Sequence, residues 1–447
     1  MISSLKKYML DLLYTGSSVR TKRIQLQNAV NKNSSSNNHE TRQLLVDISI
    51  IIRGDSRTGI QRVVRALLSG LENNSPTTFK ICPVFATNKH GYCYAPDGYK
   101  LGVTDIDVLR KPNKQVHVNA GDIFLGLDLA TTLFPKYEKQ VKGWKLKGVK
   151  IHVMIYDLLP VLHPEWFHRN APIKFYKWLR SIAINADSLI CISEAVRRDL
   201  RNWLSDKYTF STDTMPIHVI PLGGNLEKSI PSRGMPQNAY HLLSIFASRK
   251  TALMVGTLEP RKGHSLILDA FDVLWKQGSE ANLLIVGKLG WKTDKLKSRL
   301  LNHEQYEKKL YWLSDVSDEY LDQIYQVSFG LILASEGEGF GLPILEALMR
   351  QKNLLVSDLP VFREISSLHI QYFERFQTNA SKIAETIEQW LSVNKAIDYV
   401  IKKEDLNGYN WNKSTTTLVS IITGDESFSQ KPIVINSRKS ESTIKVR

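Results

Sequence analysis

Apolar positions along this chain form short runs that alternate with stretches of helical spacing, and the alternation occurs twice. In the first half, "RQLLVDISIII" (42–52) is an apolar run of strand length, and the glycine turn and helically spaced residues of "RGDSRTGIQRVVRALLSGL" (53–71) follow it. The β-rich runs "FKICPVFAT", "GDIFLGLDL" and "KIHVMIYDLLP" then alternate with the helical "APIKFYKWLRSIAINA" and "SEAVRRDLRNWL", and "HVIPLGGN" ends the half. The Pro- and Gly-containing "SIPSRGMPQ" reads as part of a connector over 229–247. A second alternation runs through "TALMVGTLEP", "HSLILDAFDVLWKQG", "NLLIVGKLGW", "DEYLDQIYQVS", "GLILAS", "PILEALMRQ" and "NLLVSD". The pattern predicts two α/β domains, at 42–228 and 248–404, each a parallel sheet covered on both faces by helices, with a cleft between them. Ligands of such sheets sit at the carboxyl ends of the strands, where the loops here carry Gly, Asp, Arg and Glu. A helix at 405–424 is expected to close the fold. Order is expected to begin at 42, after a basic extension and the polar linker "NAVNKNSSSNNHE" within 1–41, and the polar tail 425–447 is expected to be disordered.

Composition changes this picture little. The 447 residues are 43% hydrophobic and 23% charged, as in ordinary globular proteins. Cys82, Cys93 and Cys191 have no metal-ligand spacing and form no even-numbered framework, which suits a reducing compartment. The net charge of +15 calls for an acidic partner: nucleic acid, an anionic membrane surface or a phosphorylated ligand. No apolar run is long enough for a membrane-spanning helix, and the first residues lack the pattern of a secretory signal. The expectation is a cytoplasmic protein with an optional peripheral place on the inner face of the plasma membrane. Two segments are candidates for that surface, the basic N-terminal segment and the basic-aromatic "PEWFHRNAPIKFYKWLR" (164–180), although the favoured reading of the second is a partly buried helix with a charged outer face.

The candidate chemistry lies in "SEGEGFGLPILEALMR" (335–350). Its glycines let the backbone approach a ligand, and Pro343 suits the first position of the helix that follows. Glu346 then falls in the first helical turn, where the dipole favours a carboxylate and free N–H groups can hold a phosphate. A capped helix with ordinary acidic bias explains the same residues. Taken alone, Arg261 and Lys262 read as loop cations, Gly59 with Arg57 and Thr58 as a strand-to-helix turn, and Arg197 as a helix-face charge.

"SEGEGFGLPILEAL" followed by "LLVSDLPVFREI" resembles the E-x7-E signature of retaining glycosyltransferases of family 4 (glycosyl transferases group 1), which have two facing Rossmann-like domains, the GT-B fold. The resemblance implies that Glu338, with Gly339, Phe340, Gly341 and Leu342, contacts the donor sugar and that Glu346 binds the nucleotide ribose; Glu336 is extra and has no assigned role. "LMVGTLEPRKGHSLILDAF" resembles the first strand-loop-helix of the family's nucleotide domain. This implies donor-diphosphate binding by Arg261 and Lys262 beside Gly256, whereas Thr257 stands where many relatives have a further arginine. The loop near Ser314–Val316 corresponds to one that lines the base, which places Val316 in the donor site. On the acceptor side, the early glycine loop of Arg57, Thr58 and Gly59 is expected to face the donor phosphate. "YDLLPVLHPEWF" resembles a segment of bacterial mannosyl- and related transferases that keeps Asp157 but has Tyr156 in place of the usual histidine. "ISEAVRRDL" supplies Ser193 and Arg197 as further candidates.

The implied activity is metal-independent transfer of a hexose, with retention, from a nucleotide sugar to a hydroxyl of a lipid-linked or glycan acceptor. GDP-mannose and a surface glycan such as lipopolysaccharide O-antigen are favoured, another UDP- or GDP-linked hexose or deoxyhexose is the alternative, and no cofactor is expected. A nucleic-acid-binding protein would explain the charge, but no recognition motif supports it. A dinucleotide-dependent oxidoreductase would need a G-x-G-x-x-G turn after its first strand, and neither "VGTLEPRKG" nor "VGKLGW" qualifies.

Overall fold

The computed structural model describes residues 16–32, 42–74, 78–96, 99, 114–211, 213–226, 229–365, 370–374, 378–393, 406 and 408–425. The expected disordered tail and most of the polar linker lie outside these residues.

The N-terminal half contains the helix α1 (Gly16–Lys32), then β1 (Arg42–Asp47), α2 (Gly59–Asn73), β2 (Phe79–Phe85), β3 (Cys93–Tyr94), β4 (Ile123–Gly126), α3 (Glu138–Leu146), β5 (Lys150–Ile155), α4 (Ala171–Asn185), β6 (Ser188–Cys191), α5 (Glu194–Tyr208) and β7 (Ile217–Val219). Its sheet has the order β3-β2-β1-β4-β5-β6-β7, parallel except for the β2–β3 pair. The C-terminal half continues with α6 (Ala239–Ser248), β8 (Thr251–Val255), α7 (His264–Lys276), β9 (Asn282–Val286), α8 (Asp294–Leu301), β10 (Leu310–Leu313), α9 (Asp318–Val327), β11 (Gly330–Leu333), α10 (Leu342–Leu348), β12 (Asn353–Ser357), β13 (Ile370–Phe373), α11 (Ala380–Ser392) and α12 (Trp411–Thr423). Its sheet is wholly parallel, in the order β10-β9-β8-β11-β12-β13. The strands are almost entirely buried, as a sheet covered on both faces requires.

Strand order reverses direction at β1/β4 in one sheet and at β8/β11 in the other, and these switch points open crevices at the carboxyl ends of the strands. The loops after β1, β5 and β6 there meet the loops after β8 and β11. Helix α12 closes the fold by packing on α2, so the chain's last described element returns to the N-terminal domain. The crossing is tight: a β-carbon on Gly70 would lie 2.1 Å from the Thr415 hydroxyl oxygen.

Two expectations need correction, and one open reading is decided. Order does not wait for residue 42, because α1 lies against α3, α4 and α5 with Val19 and Leu26 buried. Arg23, 8% exposed, donates to the carbonyls of Ala183 (3.1 Å), Ala186 (2.6 Å) and Thr214 (3.1 Å), so one cation of the supposed membrane segment caps the end of α4. The expected connector 229–247 is helical from Ala239 onward. In the basic-aromatic stretch, Trp166, Phe175, Tyr176 and Trp178 are buried. The partly buried helix is therefore the correct reading of 164–180.

Candidate active site

The loop after β8 and the loop after β11 converge through backbone contacts. Gly256 at φ 143° and Gly263 at φ 69° occupy conformations that favour glycine, and a β-carbon on Gly263 would lie 2.3 Å from the Ala334 carbonyl oxygen. The Glu336 N–H donates to the Arg261 carbonyl at 2.7 Å, which gives this otherwise unassigned residue a backbone role.

On that frame sits a charged cluster. Lys262 Nζ meets Glu338 Oε1, and the Ser335 hydroxyl donates to the same oxygen at 2.7 Å. Arg261 lies 3.2 Å from Glu338 Oε2, donates to the Gly337 carbonyl at 2.6 Å and pairs with Glu259 at 2.9 Å. Burial pushes the Glu338 carboxyl up, but Lys262 and Arg261 outweigh it and hold it at about 2. The carboxylates also hold the Arg261 guanidinium above its ordinary value against the pull of burial. The sequence-derived trio Arg261, Lys262 and Glu338 is thus one ion cluster.

Asp157 follows β5 on the opposite wall. Burial raises its carboxyl, partly offset by Arg261, and its Oδ1 accepts from the Leu159 N–H at 3.0 Å. Gly339 packs on this segment, and Ser193, which caps α5, donates to the Gly339 carbonyl at 2.8 Å. Tyr156 belongs elsewhere: its side chain is buried and its hydroxyl donates to the Leu127 carbonyl at 2.6 Å. Only its backbone borders the cleft, so Tyr156 does not replace a catalytic histidine. Arg197 pairs with Glu194 on its own helix, the helix-face arrangement.

Glu346 lies deeper than the sequence suggests. Helix α10 begins at Leu342, which puts Pro343 at its second position and Glu346 beyond the first turn, so the dipole argument does not apply. The carboxylate is 1% exposed, accepts from the Tyr325 hydroxyl at 2.8 Å and is ion-paired with Arg62 of α2, across the domain boundary. Arg62 also donates to Asp318 at 2.7 Å, and Arg57 reaches the same carboxylate at 3.3 Å. Thr58 and Gln61 form a capping box at the start of α2, and a β-carbon on Gly59 would lie 3.8 Å from Leu342 Cδ1. The early glycine loop therefore packs against the start of α10. Phe340 and Leu342 are buried beneath it, Gly341 takes φ 97°, and Val316 packs against the core one residue before the α9 cap.

Sequence reasoning missed Arg62, Asp318, Tyr325 and Glu364. The Glu364 carboxylate accepts from the Glu194 N–H at 2.8 Å, so a residue of the C-terminal half caps α5 of the other. Residues at opposite ends of the sequence carry no local signal of such pairing.

Residues 243–405, which hold the Arg261–Lys262–Glu338 cluster and Glu346, match the family described as Glycosyl transferases group 1. Residues 243–405 are therefore a domain of this glycosyltransferase family. Serotype-specific mannosyltransferase WbdA of Escherichia coli is 37% identical over 399 residues, 89% of this chain and 48% of the relative. The chain thus spans about half the length of the curated relatives it matches. O-antigen chain mannosyltransferase RfbU of Salmonella typhimurium is 25% identical over 48% of this chain and 53% of its own. Among solved structures, a glycosyltransferase from Rickettsia africae aligns with TM-score 0.54 and 16% identity over 87% of this chain and 99% of its own. Sucrose-phosphate synthase from Thermosynechococcus elongatus gives 0.54 and 15% over 87% and 96%. The chain has the GT-B fold, two facing Rossmann-like domains.

Proposed function

We propose that this chain is a retaining mannosyltransferase that moves mannose from GDP-mannose to a hydroxyl of a growing surface glycan, such as lipopolysaccharide O-antigen. The observation that carries the reading is the ion cluster of Arg261, Lys262 and Glu338 facing Asp157 across the cleft. Departure of a nucleoside diphosphate develops charge on phosphate oxygens, and fixed cations stabilise it without reorganising during the reaction. Arg261 supplies a planar fork and Lys262 a point charge held in place by Glu338. Glu338, kept ionised by both, accepts hydrogen bonds from sugar hydroxyls. The departing phosphate takes the acceptor proton on the same face, so the reaction needs no strong protein base and preserves the anomeric configuration. Glu346 takes the ribose. The seam between α2 and α10 opens to admit the nucleotide, and closure excludes water that would hydrolyse the donor.

The choice of mannose rests on the names of the Escherichia coli and Salmonella relatives. The test is transfer by the purified chain from GDP-mannose, UDP-glucose and GDP-fucose to a mannose-terminated oligosaccharide, with and without EDTA. EDTA-insensitive transfer from GDP-mannose supports the reading, and transfer only from another donor replaces the sugar assignment.

A further inference from the structure

Glu346 is held from two domains. Tyr325, on α9 of its own domain, donates to Oε2, and Arg62, on α2 of the other, meets Oε1. The same guanidinium reaches Asp318 Oδ1 at 2.7 Å. Asp318 is itself fixed by the Ser232 N–H at 2.8 Å, and Arg57 gives it a second cation. Among the described residues, Arg62 is the cation in salt-bridge contact with the Glu346 carboxylate; Arg350 donates to the Glu346 backbone carbonyl and pairs with Asp322. A carboxylate 1% exposed depends on that partner, because removing one member of a buried pair leaves an uncompensated charge. Burial disfavours the charged guanidinium, yet Glu346 and Asp318 together raise its pKa. Arg62 is well placed to be stiff, since it lies in the first turns of α2 beside the Thr58–Gln61 capping box.

We propose that Arg62 is a positioning residue for the nucleotide ribose: domain closure carries its guanidinium onto Glu346 and fixes the carboxylate that takes the ribose diol. The inference rests on the ribose assignment of Glu346 made above. A carboxylate offers about four acceptor positions. Arg62 and Tyr325 occupy one on each oxygen, so the 2′- and 3′-hydroxyls have the others. Bridging Asp318 and Glu346 requires two donors in one rigid plane, which arginine has and lysine lacks. The N-terminal domain thereby contributes to nucleotide recognition without touching the nucleotide.

The test is calorimetric titration of the full chain with GDP, UDP and ADP, each alongside its 2′,3′-dideoxy form. Wild type is compared with Glu346→Gln, Arg62→Gln and Arg62→Lys, and melting temperatures check each fold. Wild type should prefer the ribonucleotide by about 10- to 100-fold, the scale of hydrogen bonds to a charged group. Glu346→Gln and Arg62→Gln should both reduce that preference to about threefold or less, chiefly by weakening the ribonucleotide, and Arg62→Lys should keep part of it. If Glu346→Gln abolishes the preference but both Arg62 variants keep it, Arg62 is only an interdomain strap and the proposal is overturned. If Glu346→Gln keeps the preference, or no nucleotide binds wild type, the ribose assignment itself fails. Should Arg62→Gln not fold, Arg62→Lys decides by the same ratio.

Discussion

Gly339 and Tyr156 touch across the cleft so closely that a β-carbon on Gly339 would stand 2.0 Å from the Tyr156 carbonyl oxygen. This contact joins the loop that carries Glu338 to the strand end that carries Asp157. Only a glycine permits it, because the obstacle is backbone and cannot rotate away. Gly339→Ala should push the two walls apart. Misplacement by about 1 Å costs on the order of 100-fold in rate, so kcat/KM for sugar transfer should fall by at least that much. Steady-state kinetics alongside circular dichroism checks this, and unchanged kinetics would show that the seam tolerates displacement.

Lys262 has its charge on Glu338 and a β-carbon position on Gly256 within 3.9 Å of its tip. Lys262→Ala should lower kcat about 10²- to 10³-fold, the usual scale for losing one preorganised group that stabilises transition-state charge. The same change should lower the melting temperature by several degrees, since it removes one of the two cations on the buried Glu338 carboxylate while Arg261 remains. Full activity would remove it from the phosphate site.

Deleting residues 1–40 removes α1, which buries Val19 and Leu26 and sends Arg23 to three carbonyls. Burial of those two side chains is worth about 1.5–3 kcal/mol each. The truncated chain should therefore melt roughly 10 °C lower, given a few degrees per kcal/mol in a large domain. A thermal scan checks this, and an unchanged midpoint would mean that α1 is dispensable to the fold.

Asp47 is fully buried at the end of β1, where it accepts from the Ser49 N–H (2.9 Å) and the Tyr92 hydroxyl (3.0 Å). Burial, with help from nearby Asp128, pushes its carboxyl up to about 7, while Asp128 itself stands at about 6. Both values are raised in the folded state, so the protonated forms favour folding. That stability is fully present below the unfolded carboxylate pKa near 4 and is lost as pH rises through 6 to 7. Asp47→Asn cannot ionise, and relative to it the wild-type urea midpoint should fall between pH 5 and pH 8. The stability at stake is on the order of 3 kcal/mol. Glu338 acts in the opposite sense and only in acid, since its carboxyl is held at about 2.

Much of this architecture was legible because each sheet is buried on both faces. Continuous runs such as "TALMV" and "GLILAS" gave β8 and β11, and the intervening helical spacing gave α7 and α9. The two-residue β3 is too short for a pattern of its own, and β10 and β13 are edge strands whose half-exposed or exposed positions break the apolar run. Helix α1 was read as a loose extension because its apolar positions are sparse and its buried arginine looks solvated in sequence. The cluster of Arg261, Lys262 and Glu338 was recoverable because a glycine turn marks each of its two loops. Arg62 was not, because its partners Glu346 and Asp318 are more than 250 positions away and nothing local distinguishes it from Arg65 on the same helix.

The most direct measurement gives the purified chain GDP-mannose labelled at the anomeric carbon and a mannose-terminated acceptor, and follows the product by NMR. The expected result is one added mannose in the α configuration of the donor, formed by wild type and reduced about 10²-fold or more in Lys262→Ala. An inverted linkage, or equal transfer by both proteins, would contradict retention and phosphate stabilisation at the Arg261–Lys262–Glu338 cluster.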